Sequence, residues 1–186
     1  LAQLKEQGYS GIVDIGASFE SCKKAVEISN THDIVYATVG IHPDCIEDFF
    51  EGENNRNTSG NRVIEEMYNM IKNNKKVVAV GEIGLDYHNM TCEKDLQEIW
   101  FRAQLDMAKE LSMPVVIHSR EAERDTEVIL REYLGKLPPS IMHCYSYSKE
   151  SAREFVQMDY YLGIGGVVTF KNAKKLVEAV EDTPLS

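Results

Sequence analysis

Apolar residues in this chain follow two patterns that alternate along it. Short unbroken runs, such as Val77-Val-Ala-Val80, are each followed by a stretch whose apolar residues recur every three or four positions. The first pattern predicts strands covered on both faces, and the second predicts helices with one face on a core. Strands are expected at 12–15, 34–39, 77–80, 114–117, 140–142 and 160–164. Helices are expected at 1–7, 19–29, 63–72, 93–111, 122–134, 149–158 and 173–180. In the longest helix Leu96, Ile99, Trp100, Ala103, Met107 and Leu111 form the expected apolar stripe. The polar segment Glu51–Asn61, rich in Asn, Gly and Ser, reads as a solvated loop and the nearest approach to a linker.

Strand, loop and helix repeat six times, which predicts a parallel sheet covered by helices. A doubly wound sheet and a (β/α)8 barrel, the TIM barrel, both fit. No G-x-G-x-x-G follows the first strand, which weakens a dinucleotide-binding reading. Six strands fall short of eight. The chain opens on Leu1 within a helical pattern and stops at Ser186 without an evident end. We therefore expect residues 1–186 to be a single (β/α) barrel domain, incomplete, with its first and last strands missing and the fragment truncated at both ends.

The 186 residues suffice for one real core, and 43% hydrophobic with 27% charged residues is ordinary for a globular domain. The net charge of −10 argues against broad electrostatic binding to duplex nucleic acid, yet leaves room for an enzyme that takes phosphate at a metal. Cys22, Cys45, Cys92 and Cys144 show no C-x-x-C and no disulfide-like spacing, so a reduced, cytoplasmic protein is expected. No apolar run approaches membrane-spanning length, no signal peptide is visible, and no obligate protein partner is evident.

The chemistry gathers just beyond the strands. Glu82 follows the strand at 77–80, His42 the strand at 34–39, His118 the strand at 114–117 and His143 the strand at 140–142. In both candidate architectures the carboxyl ends of the strands form the active face. A carboxylate at the mouth of a buried strand is costly unless a metal ion, a lysine or arginine, or water meets it. Imidazole and carboxylate converging from separate strands suit one or two divalent ions, Mg, Mn or Zn. Each histidine also has a plain reading as a hydrogen-bonded strand-end residue, and His42 as part of a rigid Gly-Ile-His-Pro turn. Arg120 could grip phosphate or pair with Glu121 or Glu123. His32 and His88 are read as surface residues and Cys144 as packing.

Five stretches carry a resemblance: Thr38-Val-Gly-Ile-His-Pro43, Val80-Gly-Glu-Ile-Gly-Leu-Asp-Tyr87, Pro114-Val-Val-Ile-His-Ser-Arg120, Met142-His-Cys-Tyr-Ser146 and Gly163-Ile-Gly-Gly-Val-Val-Thr-Phe170. In this order they resemble the TatD family of metal-dependent deoxyribonucleases, across essentially the whole chain. The resemblance implies a (β/α)8 barrel related to the amidohydrolases, with one or two metal ions at its carboxyl face. Glu82, His118 and His143 would be metal ligands and the catalytic set, and His42 would lie near the substrate phosphate. The family's His-x-His on its first strand and its Asp after its last strand are not among these residues. The expected activity is metal-dependent hydrolysis of DNA phosphodiesters at single strands or ends, with Arg120 and His42 on the phosphate. Two alternatives stand beside it: a metal-dependent hydrolase of small esters, amides or lactones, and a non-catalytic metal-binding scaffold.

Overall fold

The computed structural model describes residues 2–47 and 56–185. Six strands, β1 (Ile12–Asp14), β2 (Val35–Val39), β3 (Val77–Asp86), β4 (Val115–Arg120), β5 (Ser140–Met142) and β6 (Tyr160–Leu162), pair in parallel. Their order across the sheet is β1-β2-β3-β4-β5-β6. Each strand therefore lies beside the next one in sequence, with a helix returning the chain each time. A doubly wound sheet reverses its order partway, so this unreversed order selects the barrel type of winding.

The intervening helices are α1 (Ala2–Glu6), α2 (Phe19–Thr31), α3 (Arg56–Lys72), α4 (Lys94–Leu111), α5 (Glu123–Glu132), α6 (Lys149–Gln157) and α7 (Lys174–Asp182). Local chemistry sets their starts. Ser18 opens α2 with a reciprocal box: its hydroxyl accepts from the Ser21 amide at 3.2 Å, and the Ser21 hydroxyl accepts from the Ser18 amide at 2.8 Å. Ser148 accepts from the Ser151 amide at the start of α6. Among the described residues no helix is long and apolar enough to cross a membrane.

Three expectations are corrected. The polar segment is not all loop: residues 56–61 form the first turns of α3, and residues 51–55 lie outside the described residues. Polar composition is only a weak guide to local structure, since tertiary context overrides it. The buried stripe of α4 runs through Gln97, Trp100, Phe101, Gln104, Leu105, Met107 and Ala108, while Ile99 is 62% exposed. Two glutamines take core positions because they bond to backbone there. Cys144 is exposed, at φ +49° in the turn after β5, so it does not pack; all four cysteines are free thiols.

Burial falls off from the middle of the sheet to its edges. Val35, Ala37 and Val39 on one face of β2 with Thr38 on the other, and Val115, Val116 and Ile117 of β4, are all buried, so both faces of the sheet are covered there. In the edge strands Val13 is 45% and Tyr161 64% exposed. The central strands thus have the lowest-dielectric surroundings, and the candidate site stands on their ends.

Candidate metal centre

Glu82 does not sit where β3 gives way to loop. The strand runs on to Asp86, and its pairing with β4 skips one residue, so that Gly81 faces Val116 and Ile83 faces Ile117. Glu82 is the extra residue of this bulge. Bulges re-aim side chains, and here the Glu82 amide leaves the β4 ladder and donates to the Gly16 carbonyl beyond β1, at 2.6 Å. Past the bulge Gly84 pairs with His118, Leu85 with Ser119 and Asp86 with Arg120. Only glycine fits at 84: a Cβ there would lie 1.9 Å from the His118 carbonyl oxygen. That close approach carries His118 alongside the end of β3.

The geometry that results is tight. His118 Nδ1 lies 3.3 Å from Glu82 Oε1, and His118 Nε2 lies 3.0 Å from Asp86 Oδ2. The His42 ring meets the His118 ring edge-on, with centroids 4.1 Å apart. One donor atom each from His42, Glu82 and His118 lies within 4.8 Å of the others. His42 reaches the cluster from the turn after β2. Its amide donates to the Ala17 carbonyl, and its Nδ1 accepts from the Asp44 amide at 3.2 Å. The preceding residue, Ile41, is clamped by Gln104 of α4, which accepts from its N–H at 2.7 Å and donates to its carbonyl at 3.1 Å.

His143 stands directly after β5, its amide bonded to the Ile117 carbonyl next to His118. Its ring nitrogens fall outside the 4.8 Å cluster, but it is near enough to favour the charged form of Glu82. Arg120 ends β4 on the same side as His118, since alternate residues of a strand share a face. Its side chain is exposed, and among the described residues no carboxylate pairs with it. His32 is exposed, and His88 pairs with Glu121 at the surface.

The charges in the cluster hold one another. Burial alone would raise the Glu82 carboxyl, but the His118 hydrogen bond and the nearby histidines bring it below its ordinary value. Burial likewise opposes charge on His118, yet its bonds to Glu82 and Asp86 raise it overall. For His42 the balance falls the other way. Burial lowers it and the neighbouring His118 lowers it further, which outweighs the pull of Glu82, Asp44 and Asp86 and favours the neutral ring. With Nδ1 accepting from Asp44, its proton belongs on Nε2.

Asp86 is the residue that strand-end reasoning missed. It is 1% exposed and accepts from the His88 and Asn89 amides at 2.9 and 2.8 Å as well as facing His118. Gln97 of α4 pins its backbone, accepting from the Asp86 amide and donating to the Asp86 carbonyl. The signal was the two-residue alternation, which puts Glu82, Gly84 and Asp86 on one side once the strand is carried to its true end.

The set of donors, imidazole and carboxylate on rigid strands, fits a divalent cation, and the 3.3 Å between His118 Nδ1 and Glu82 Oε1 suits two ligands of one ion. A parallel, barrel-type α/β sheet with a histidine–carboxylate cluster at its carboxyl ends defines the class of protein. The model of the family described as TatD related DNase matches residues 1–186, and the chain belongs to that family. It is 38% identical over 188 residues to the metal-dependent hydrolase YabD of Bacillus subtilis, covering 99% of this chain and 68% of that protein. It is 30% identical over 161 residues to the 3'-5' ssDNA/RNA exonuclease TatD of Enterobacter lignolyticus, covering 87% of this chain and 58% of that one. The structure of YJJV, a TatD homologue from Escherichia coli, superposes with a TM-score of 0.78 at 27% identity, over 99% of this chain and 67% of that one. The chain thus spans about two thirds of YabD and less of the exonuclease.

Proposed function

We propose that this chain carries the metal centre of a hydrolase that cleaves phosphodiester bonds in DNA, at single strands or ends. The observation that carries the proposal is the convergence of His118 Nδ1, Glu82 Oε1 and the His42 ring at the carboxyl ends of three adjacent strands. The family assignment supports it. Glu82 and His118 hold the ion, and His143 joins them from the next strand. A divalent ion held there makes water a nucleophile at neutral pH and polarises a phosphate oxygen.

The remaining groups bind and orient the substrate. His42 presents Nε2–H as a hydrogen-bond donor to a phosphate oxygen. The exposed Arg120 guanidinium offers a bidentate grip on a phosphate of the same strand. A net charge of −10 argues against broad electrostatic binding to duplex DNA. Affinity therefore concentrates at the site, which favours an end or a single strand. Magnesium or manganese suits this chemistry, with zinc as the third candidate. Four free thiols support a cytoplasmic location.

The test follows nucleotide release from end-labelled single-stranded DNA by the full-length protein, with magnesium or manganese and then with chelator. Glu82→Ala, His118→Ala and His143→Ala are assayed beside it. We expect cleavage that is lost with chelator and in each variant. A folded, metal-loaded protein that leaves DNA intact but hydrolyses small esters, amides or lactones would replace this reading with the small-substrate one. Loss of both activities would leave a metal-binding scaffold.

A further inference from the structure

We infer that Asp86 is a positioning residue for the metal centre, one that holds His118 in the tautomer with its proton on Nε2 and the Nδ1 lone pair open beside Glu82. The inference rests on reading Glu82 and His118 as ligands. It adds a residue to which neither the family match nor the strand-end pattern gives a role.

The hydrogen-bond geometry around the Asp86 carboxylate carries the argument. Oδ1 is occupied by two backbone donors, the amides of His88 and Asn89. Oδ2 faces His118 Nε2 at 3.0 Å. An ionised carboxylate can only accept, so the Nε2 that faces it must donate. Nδ1 also faces a carboxylate, that of Glu82, but at 3.3 Å against 3.0 Å for Asp86, so the single proton of the neutral ring stays on Nε2 and Nδ1 is left bare. Nδ1 is the nitrogen 3.3 Å from Glu82 Oε1, where both atoms can turn lone pairs on a shared ion. Asp86 cannot itself move toward that ion. It is 1% exposed, its Oδ1 is tied down, and both its backbone groups are clamped by Gln97, itself fully buried. Carboxylates placed in this way behind a ligating imidazole fix its orientation and raise its basicity.

The arrangement makes Asp86→Asn a sharp test, because the outcome for an isosteric side chain is dictated by the Oδ1 donors. The two backbone N–H groups require an acceptor, so the amide oxygen of asparagine takes the Oδ1 place. Its NH2 then occupies the Oδ2 place and points at His118 Nε2. A donor there forces Nε2 to accept, and the ring proton moves to Nδ1, facing Glu82. Shape and burial are kept while the lone pair is turned away from the ion.

Two measurements on full-length protein decide the matter. Long-range proton–nitrogen NMR of the histidine rings, in metal-free protein at mildly alkaline pH, is expected to place the His118 proton on Nε2 in the parent and on Nδ1 in Asp86→Asn. His118→Ala assigns the resonance. Calorimetric titration with manganese is expected to show binding roughly 10- to 100-fold weaker in the variant. Thermal unfolding of the metal-free variant checks that it is folded. A parent His118 protonated on Nδ1 would overturn the inference without any variant, so it stays refutable even if Asp86→Asn does not fold. So would a folded variant that binds manganese as tightly as the parent. Manganese affinity unchanged in Glu82→Ala and His118→Ala would instead overturn the ligand reading on which the inference rests.

Discussion

Replacing Gly84 by alanine perturbs the fold and the site through a single atom. The added Cβ would lie 1.9 Å from the His118 carbonyl oxygen, 2.9 Å from its carbon and 3.1 Å from its nitrogen. Ordinary contact begins at 3.4 Å, so β3 and β4 must part by about 1.5 Å at the Gly84–His118 pair. Backbone groups cannot swing aside as a flexible side chain does. Overpacking of this kind costs about 1–3 kcal/mol, and the φ of +145° adds roughly 1–3 kcal/mol for a residue with a side chain. The total of about 2–6 kcal/mol is a large share of the ~5–15 kcal/mol that stabilises a typical domain. Urea unfolding of metal-free protein should show the midpoint lowered by on the order of 1–2 M at an ordinary slope. A binding constellation must be held within about 0.5 Å of its productive geometry, so divalent binding should fail even where the variant still folds. Gly135→Ala is the control, because its φ is +70° with nothing within 4 Å of a Cβ. It should lose only about 1–2 kcal/mol of backbone strain and bind metal normally. A Gly84→Ala protein with the parental midpoint and parental metal affinity would refute the close-approach argument.

The charge cluster predicts opposite pH trends for stability and metal binding. In metal-free protein His118 is raised above 6.5, so its contribution is complete below that value and is lost as pH rises through the raised one. Glu82 and Asp86 are lowered from 4.5 and 3.8, so theirs is present above those values and is lost as pH falls through the lowered ones. His42, lowered from 6.5, acts with the opposite sign and no longer titrates above that value, so thermal melts in chelator should show the cluster's contribution peaking near 6.5 and falling above it, whereas metal affinity should climb with pH as His118 gives up its proton. Stability and affinity that rise together above about pH 6.5 would contradict it. Gln104→Ala strands the buried Ile41 N–H and carbonyl and should cost roughly 2–5 kcal/mol in chemical unfolding. A loss below about 1 kcal/mol would show that water replaces the amide. Ser112→Gly relieves a left-handed residue (φ +52°) at the end of α4 without losing its N–H bond to Ala108, and should raise the unfolding midpoint by up to about 1 kcal/mol.

Much of this protein was legible in its sequence, because the signals are local. Buried parallel strands read as unbroken apolar runs, helices as three-and-four spacing, and the alternation of the two fixed a parallel α/β sheet. The apolar runs that stop just before Glu82, His42, His118 and His143 pointed to the carboxyl face, although β3 and β4 in fact continue through Glu82 and His118. Tertiary structure decided the rest. The unreversed strand order that separates barrel winding from a doubly wound sheet depends on which strands pair, and a list of strands does not contain that. The run at 77–80 looked finished at Gly81 because glycine usually breaks a strand. In the fold Gly84 instead lets the strand continue against His118, and with it Asp86 enters the site. The apolar stripe of α4 hid Gln97 and Gln104, whose value lies in backbone groups distant in sequence. Which ring nitrogen faces a carboxylate, and so which lone pair is free for an ion, is fixed only when β3 and β4 lie side by side.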